Sequence, residues 1–335
     1  MRYLLTTDPG IEDIATEEVL ERLPRARAQV EPYGFPGQVR VEVDAAGPLL
    51  ELATIHHVIE IHGESEAATL ADIRRAVGGV EFPELIDAGS FRVTSVCSGE
   101  HDFTSREIQG AAGAVIQRRY GTSVDLKGFD VNVRVDLYGG HLVAGVQRTD
   151  KSLGKRIKRA RVLRTSIKPT IAAAMVRLAG AHRGAGRLID PLCGTGNIPI
   201  EAKRMNSRLD VYACDWDGGT VEVSRATLAN HGLEVDVRVC DARALRGVYP
   251  EPFDYIVTDP PYGVRLGRRS GIAVLYRALM PSLEDVLSED GRLVVAVLKF
   301  GTFLGALEKS GLEVLAERIV GAGDLRPRVV VLGRR

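Results

Sequence analysis

Short apolar runs alternate with helical patterns along the second half of the chain, and this alternation limits the possible folds more than any other feature. From about residue 163 onward, apolar and mostly β-branched runs are typical of buried strands, and most are separated by segments with helical spacing. Strands joined by helices form a parallel sheet covered on both faces, which binds ligands beyond the carboxyl ends of its strands. The predicted strands are residues 187–190, 211–215, 235–240, 255–258, 293–297 and 329–332, and the predicted helices are residues 167–178 (amphipathic), 198–204, 219–231, 272–287 and 302–309.

The first half follows an α+β pattern that contains no catalytic signature. Its residues His56, His57, His62 and His101 are scattered and are better explained as surface or packing residues than as metal ligands. The predicted strands are residues 3–6, 39–43, 58–61, 90–97, 131–137 and 142–146, and the predicted helices are residues 11–23, 49–55 and 105–120. We therefore expect an N-terminal module over residues 1–150, a linker over residues 151–165 and a second domain over residues 166–335.

Basic charge is concentrated between the two predicted domains. Residues 151–187 contain 11 Lys and Arg residues and no acid, whereas residues 1–150 contain 14 basic and 24 acidic residues. A patch of this density binds phosphate through counterion release, although a solvated linker would have the same composition. The predicted RNA-contacting residues are Lys155, Arg156, Lys158, Arg159, Arg161, Arg164 and Lys168.

The remaining composition indicates an ordinary cytoplasmic enzyme. The four cysteines are never two or three residues apart, which argues against a zinc site, and they are too few for a disulfide scaffold. We expect no metal. No apolar run approaches the ~18–20 residues that span a bilayer, and the first residues lack the pattern of a secretory signal. We expect no membrane association and a monomer.

The first chemical motif runs from Asp190 to Asn197 and contains the turn Gly194-Thr195-Gly196 between a predicted strand and a predicted helix. Glycines permit a tight turn close to a ligand, and the helix start offers free N–H groups. The third glycine of the dinucleotide fingerprint is missing. An acid before amide donors fits a ligand with an amine and a carboxylate, such as the methionine end of S-adenosylmethionine.

Two further acids lie at the ends of the next predicted strands. Asp215, 19 residues after Gly196, is positioned to accept the hydroxyls of a ribose, an arrangement that nicotinamide cofactors also use. Asp241 is positioned to bond an adenine amino group. The predicted cofactor-binding residues are Asp190, Cys193, Gly194, Thr195, Gly196, Asn197, Asp215, Trp216, Asp241 and Ala242.

The most specific motif is Asp259-Pro260-Pro261-Tyr262, directly after an apolar strand. Adjacent prolines stiffen the backbone and leave carbonyl oxygens free to accept hydrogen bonds. The Asp259 carboxylate and the Pro260 carbonyl can accept both hydrogens of an exocyclic amine, while the base stacks on Tyr262. We therefore predict Asp259, Pro260 and Tyr262 as catalytic residues that act on a base flipped out of its helix.

Residues 187–263 resemble the amino-methyltransferase class of the Rossmann-like S-adenosylmethionine enzymes, in which cofactor motifs precede the catalytic Asp-Pro-Pro-Tyr. The whole chain resembles the THUMP-domain RNA methyltransferases, especially those that make N2-methylguanosine in tRNA. Residues 163–170 are similar to the segment that opens their catalytic domain, and residues 90–148 to part of their THUMP domain. Asn197 and Trp216 depart from the usual residue types at their positions.

The resemblance implies an α/β fold with a C-terminal Rossmann-like methyltransferase domain and an N-terminal ferredoxin-like and THUMP module that binds RNA. It also implies S-adenosylmethionine as the cofactor and tRNA guanine N2 as the target. The motifs alone do not separate guanine N2 from adenine N6, or tRNA from ribosomal RNA. A nicotinamide-dependent oxidoreductase has no use for Asp-Pro-Pro-Tyr, and a non-catalytic RNA-binding protein would not need Asp259 and Tyr262.

Overall fold

Each half of the chain folds around its own hydrophobic core. The computed structural model describes residues 1–161, 166–262 and 270–335. These residues form two units, Met1–Leu153 and Gly154–Arg335. Most of the described part of the expected linker therefore belongs to the second unit. Among the described helices, none is long and apolar enough to cross a membrane.

Within the first unit, all of which the structure describes, the strands form a single sheet with the order β2-β3-β1-β4-β9-β8-β5-β7, and β6 lies beside β8. In chain order the elements are β1 (Arg2–Thr7), α1 (Glu12–Arg22), β2 (Arg27–Val30), β3 (Gln38–Glu42), β4 (Ile55–Glu66), α2 (Leu70–Gly78), β5 (Ser90–Thr94), β6 (Cys97–Ser98), α3 (Ser105–Tyr120), β7 (Ser123–Val124), β8 (Val131–Tyr138) and β9 (His141–Gln147). The strands from β2 to β8 along this order pair antiparallel, whereas β5 and β6 pair parallel with β8.

The predicted helix over residues 105–120 is confirmed as α3. Thr104 and Glu107 form a reciprocal capping box at its start, and Gly121 ends it in the left-handed conformation with φ 72°. The helix predicted over residues 49–55 is wrong. The chain there forms one short 3-10 turn and then enters β4. The prediction failed because apolar residues three positions apart are compatible with both an α-helix and a 3-10 turn.

In the second unit, the described residues form a seven-stranded sheet with the order β12-β11-β10-β13-β14-β16-β15. Its described elements are α4 (Pro169–Leu178), β10 (Gly186–Asp190), α5 (Asn197–Met205), β11 (Leu209–Asp215), α6 (Gly218–Ala229), β12 (Asp236–Val239), β13 (Phe253–Thr258), α7 (Ser270–Val286), β14 (Leu287–Val297), α8 (Phe300–Leu307), β15 (Leu312–Ile319) and β16 (Arg328–Arg334). The strands from β12 to β14 along this order pair parallel, as predicted. Asp190 pairs with Ala213 and Asp215 with Val239, so the strand ends that carry the motifs lie at one edge.

The prediction of a wholly parallel sheet is wrong at β16, which pairs antiparallel with both β14 and β15. β15 was not predicted, because its Val314 and Leu315 are exposed and break the pattern of a buried strand. The connection from β15 to β16 is too short for a helical crossover, which needs about a dozen residues. The two strands therefore form a hairpin.

The prediction that residues 167–178 form an amphipathic helix is also wrong in part. α4 begins at Pro169, a favoured first position because proline lacks the N–H that would stay unpaired there. Its polar residues Thr170 and Arg177 are buried together with its apolar residues. The helix contacts α5 and β14, and every residue from Pro169 to Arg177 is buried, so the helix presents no polar side to solvent over these residues.

Candidate functional site

Asp190 ends β10 and is the most buried acid of the motif-bearing edge, with 1% of its surface exposed. Its Oδ1 accepts hydrogen bonds from the Leu192 N–H at 3.2 Å and from the Thr258 hydroxyl at 3.0 Å. Burial raises the pKa of Asp190 to about 8; the two hydrogen bonds oppose this rise, and the negative charges of Asp259 and Asp215 add to it. Three acids from three strand ends therefore influence one another electrostatically.

The glycine turn follows Asp190 and leads into α5. Gly194 and Gly196 both have left-handed backbones, with φ 52° and 84°. A Cβ at Gly196 would approach the Ser224 hydroxyl to 2.8 Å, whereas a Cβ at Gly194 would meet no atom within 4 Å. The turn is therefore packed against α6 at Gly196 and borders open space at Gly194.

The other predicted residues of this turn are buried and make internal contacts. Cys193 is buried, and its thiol lies 3.7 Å from the Ser224 hydroxyl. The hydroxyl of Thr195 is hydrogen-bonded to Ser166 at 3.0 Å, and the Asn197 amide donates to the Ile167 carbonyl at 2.6 Å. These contacts connect the glycine turn to the segment that precedes α4.

Asp215 ends β11 and faces the glycine turn. Its Oδ2 accepts the Gly194 N–H at 3.2 Å and its Oδ1 accepts the Asp217 N–H at 3.1 Å. Burial raises its pKa. The adjacent Trp216 is 74% exposed, which is unusual for so large an apolar side chain and leaves its ring available to a ligand.

Asp241 follows β12 and is already paired. It forms an ion pair with Arg243 at 2.6 Å and caps the following 3-10 helix through the Arg243 N–H. These contacts lower its pKa. Ala242 is buried beside it. A ligand that bonds this exposed carboxylate would compete with the guanidinium group.

The Asp-Pro-Pro-Tyr turn begins directly after β13. Asp259 is half-buried and Pro260 buried, and the Tyr262 hydroxyl donates a hydrogen bond to Asp259 Oδ1 at 2.6 Å. Burial raises the pKa of Asp259 to about 7, and the hydrogen bond from Tyr262 opposes the rise. The sequence motif suggested a carboxylate open to a substrate amine, whereas here the tyrosine of the same turn occupies one of its oxygens.

Two residues that the sequence reasoning missed lie around this turn. Thr258 is fully buried and connects the turn to Asp190. Tyr276 on α7 is 1% exposed and packs edge-on against Phe303, and its hydroxyl has no hydrogen-bond partner among the described residues. Burial and the charge of Asp259 raise its pKa to about 12. Thr258 was detectable as the residue next to the motif, but Tyr276 had no local signal.

The residues of the basic segment differ in exposure. Lys155, Lys158 and Arg161 are exposed. Arg156 instead forms an ion pair at 2.7 Å with the buried Glu201 of α5, and Arg159 donates to the Asn197 side chain at 3.3 Å. Both of these arginines therefore hold the segment against α5.

The remaining predicted RNA contacts are Lys168 and Arg164. Lys168 is half-buried at the start of α4, where it occupies the N-cap position. Arg164 lies outside the described residues. Within the described residues, no group of three or more His, Cys, Asp or Glu side chains is arranged to hold a metal ion.

Comparisons with known proteins agree with the motifs. Residues 156–328 match the family model UPF0020, described as RMKL-like, methyltransferase domain, and residues 67–145 match the THUMP domain. The chain is 36% identical to the tRNA (guanine(6)-N2)-methyltransferase of Thermus thermophilus over 98% of both proteins. It is 30% identical to the protein of the same name from Archaeoglobus fulgidus, over 99% of this chain and 92% of the relative.

A solved structure supports the same relationship across both units. The crystal structure of TrmN from Thermus thermophilus matches with a TM-score of 0.89 and 32% identity, and it covers 100% of both chains. The family expected from the motifs is therefore confirmed, together with the α/β fold class. The chain belongs to the RMKL-like methyltransferase family and carries a THUMP domain in its first unit.

Proposed function

We propose that the chain transfers the methyl group of S-adenosyl-L-methionine to the exocyclic N2 of a guanosine in tRNA. One observation carries the proposal. The hydroxyl of Thr258, the residue before the Asp-Pro-Pro-Tyr turn, is bonded at 3.0 Å to Asp190, the acid before the glycine turn. This contact supports a single pocket in which the groups that hold the cofactor and the groups that hold the target amine are neighbours.

The acidic edge of the second unit fits a positively charged ligand. Burial and the negative charges of Asp259 and Asp215 raise the pKa of Asp190. A cation bound beside Asp190 would stabilise its ionised form and so lower this pKa. In this proposal Asp190 holds the amino group of the cofactor, the Gly194–Gly196 amides its carboxylate and Asp215 its ribose hydroxyls. Trp216 provides a face for the adenine. When bound, the cofactor supplies an already activated methyl group.

We further propose different roles for the remaining predicted cofactor residues. Asp241 bonds the adenine amino group after its contact with Arg243 loosens, and the neighbouring Ala242 shapes the same end of the pocket. Cys193, Thr195 and Asn197 are buried and support the glycine turn from inside. The contacts of Thr195 and Asn197 with residues 166 and 167 favour this supporting role.

Asp259 and Pro260 hold the target amine. The carboxylate and the Pro260 carbonyl accept its two hydrogens, which turns the nitrogen lone pair out of conjugation with the base and fixes its direction. With a pKa of about 7, Asp259 is ionised at slightly alkaline pH and can accept the proton that the nitrogen releases. Tyr262 first gives up its hydrogen bond to Asp259, and its ring then stacks on the base.

The relatives favour guanine N2 in tRNA over adenine N6 or ribosomal RNA. Two proteins that match almost the whole chain at 36% and 30% identity are named tRNA (guanine(6)-N2)-methyltransferases. We therefore propose guanosine 6 of tRNA as the target nucleotide. For RNA contact we propose the THUMP-containing unit together with Lys155, Lys158 and Arg161, which are exposed cations of the basic segment.

We also propose an oligomeric state, a location and a domain division for the chain. The chain works as a monomer. It works in the cytoplasm, where tRNA is processed. Its RNA-binding module ends near residue 150, and its methyltransferase domain begins near residue 165. The division rests on the change in charge along the chain. Size-exclusion chromatography with light scattering measures the oligomeric state directly.

Nucleoside mass spectrometry tests the function. Purified enzyme is incubated with a tRNA transcript and isotope-labelled S-adenosylmethionine, and we expect labelled N2-methylguanosine that disappears when guanosine 6 is replaced by adenosine. Asp259→Ala should abolish transfer while S-adenosylhomocysteine still binds, and Asp285→Ala, which removes an exposed acid of the same unit, should remain active. Labelled N6-methyladenosine or an active Asp259→Ala would overturn the assignment. A non-catalytic RNA-binding protein would bind tRNA but show no binding of S-adenosylmethionine in a calorimetric titration.

A further inference from the structure

Two carboxylates of the proposed site are connected through one hydroxyl group. Thr258 is fully buried at the end of β13, and its Oγ1 lies 3.0 Å from Oδ1 of Asp190 at the end of β10. These residues are 68 positions apart in the sequence but end adjacent parallel strands. The next residue after Thr258 is Asp259. The hydroxyl therefore joins the acid of the cofactor motif to the first residue of the amine-binding turn.

The hydrogen bonds of Asp190 are one-sided. From the described residues, Asp190 accepts two hydrogen bonds, one from the Leu192 N–H and one from the Thr258 hydroxyl, and both end on Oδ1. Within the described chain, no hydrogen bond ends on Oδ2. A carboxylate fixed by two donors on one oxygen has a defined orientation and keeps the other oxygen for a ligand.

We infer that Thr258 is a positioning residue for the methyl-transfer reaction: its hydroxyl orients the Asp190 carboxylate, so that this carboxylate can receive the ammonium group of the cofactor beside the amine-binding turn. The inference rests on the proposed function of the site. It assigns a role to a residue that touches neither the cofactor nor the target base and acts through Asp190.

The charges around Asp190 explain why such a donor is needed. Asp215 of β11 and Asp259 after β13 both repel a negative charge on Asp190, and the thiols of Cys193 and Cys214 also interact with it electrostatically. Burial acts in the same direction. A hydrogen bond to the ionised form offsets these effects, so loss of the Thr258 hydroxyl raises the pKa of Asp190 still further. Fewer molecules then carry the charge that the ammonium group needs.

Calorimetry with S-adenosylhomocysteine between pH 6.5 and pH 9 tests the inference. We expect Thr258→Val to weaken binding about tenfold at pH 7, the effect of raising the pKa of Asp190 by about one unit. The ratio of the wild-type and variant affinities should shrink toward one as the pH rises and Asp190 ionises in both proteins. The amino group of the ligand also titrates in this range, but it affects both proteins equally and cancels in the ratio.

Thr227→Val is the matched control. Thr227 is also fully buried in the second unit, and its hydroxyl bonds backbone groups outside the site. We expect this variant to lose stability without any pH-dependent change in affinity. Thr258→Ser keeps the hydroxyl and should restore the wild-type pH dependence. If Thr258→Val does not fold, Thr258→Ala compared with Thr258→Ser makes the same comparison, since the two differ only in the hydroxyl.

The outcomes separate the inference from the function on which it rests. If wild-type protein binds no S-adenosylhomocysteine, the proposed function fails. If the wild type binds but the affinity ratio for Thr258→Val is one, or is the same at every pH, then Thr258 acts only in packing and the inference is wrong.

Discussion

The hydrogen bond between Tyr262 and Asp259 is the feature of single residues with the clearest consequence for catalysis. It favours the ionised carboxylate, and burial opposes ionisation. Tyr262→Phe keeps the ring but removes the donor, so the pKa of Asp259 rises from its value of about 7. For Tyr262→Phe we expect a wild-type kcat/KM near pH 8.5 and a kcat/KM about tenfold lower than wild type at pH 6.5, because a hydrogen bond to a charged group contributes about 1.5 kcal/mol or more.

A pH–rate profile of kcat/KM measures this shift, because kcat/KM reports ionisation in the free enzyme, where Tyr262 still bonds Asp259. Tyr262→Ala is the companion variant, because it removes both the donor and the stacking face and should be slow at every pH. A Tyr262→Phe profile that rises at the same pH as the wild type would mean that Tyr262 has no influence on the ionisation of Asp259.

Tyr276 gives a second prediction at the residue scale. Its buried hydroxyl has no partner among the described residues, and an unsatisfied buried hydroxyl destabilises the folded state. Tyr276→Phe keeps the packing against Phe303 and should raise the free energy of unfolding by about 1 kcal/mol. Urea denaturation measures the change. A lower stability would mean that the hydroxyl makes a favourable contact.

At the scale of one element, the glycine turn predicts different effects at its two glycines. Both Gly194→Ala and Gly196→Ala put a Cβ on a left-handed backbone, which costs about 1–2 kcal/mol. At Gly196 the new atom would also lie 2.8 Å from the Ser224 hydroxyl, so we expect this variant to be the less stable one. Denaturant titration of the two variants checks the order. Equal losses would show that Ser224 moves aside without cost.

The basic segment also acts as one element, in which exposure separates cations that can contact RNA from those that hold the fold. Replacing Lys155, Lys158 and Arg161 together with alanine should weaken tRNA binding and reduce the slope of log K against log salt by about 2–3, close to one per lost phosphate contact. The matched control replaces three other exposed cations of the same unit, Arg246, Arg277 and Lys309. An equal loss in both triple variants would indicate only a general charge effect.

For the whole molecule, the raised pKa of Asp190 links folding to pH. An acid with a higher pKa in the folded state, here about 8, favours folding at low pH and loses this contribution as the pH rises toward that value. Asp190→Asn cannot ionise, so its melting temperature should exceed that of the wild type at pH 8.5 and approach it near pH 4, close to the ordinary pKa of an aspartate. Differential scanning calorimetry at both pH values tests this prediction.

Cofactor binding should reverse that order. S-adenosylhomocysteine stabilises whichever folded form binds it, so it should raise the melting temperature of the wild type but not of Asp190→Asn. The wild-type protein is then less stable than the variant without ligand and more stable than it with S-adenosylhomocysteine bound. A variant that is stabilised by the ligand as strongly as the wild type would remove Asp190 from the site.

The order of the motifs along the chain was enough to predict that the acids of the proposed site lie at one edge of the sheet. Asp190, Asp215 and Asp259 each end or directly follow an apolar run, and parallel strands bring their carboxyl ends to one edge whatever the details of packing. Local signals also determined α3, whose capping box and terminal glycine lie within or beside the helix.

Contacts between distant segments were decided by the tertiary structure alone. The bond from Thr258 to Asp190, the ion pair of Arg156 with the buried Glu201 and the antiparallel β16 all join segments whose local patterns are compatible with other partners. Periodicity tells which side of an element is buried, but it does not tell what covers that side. The sequence by itself therefore determined the fold class and the edge of the sheet at which the acids of the proposed site lie. Packing decided which of those acids are bonded to one another and which of the basic side chains stay in solvent.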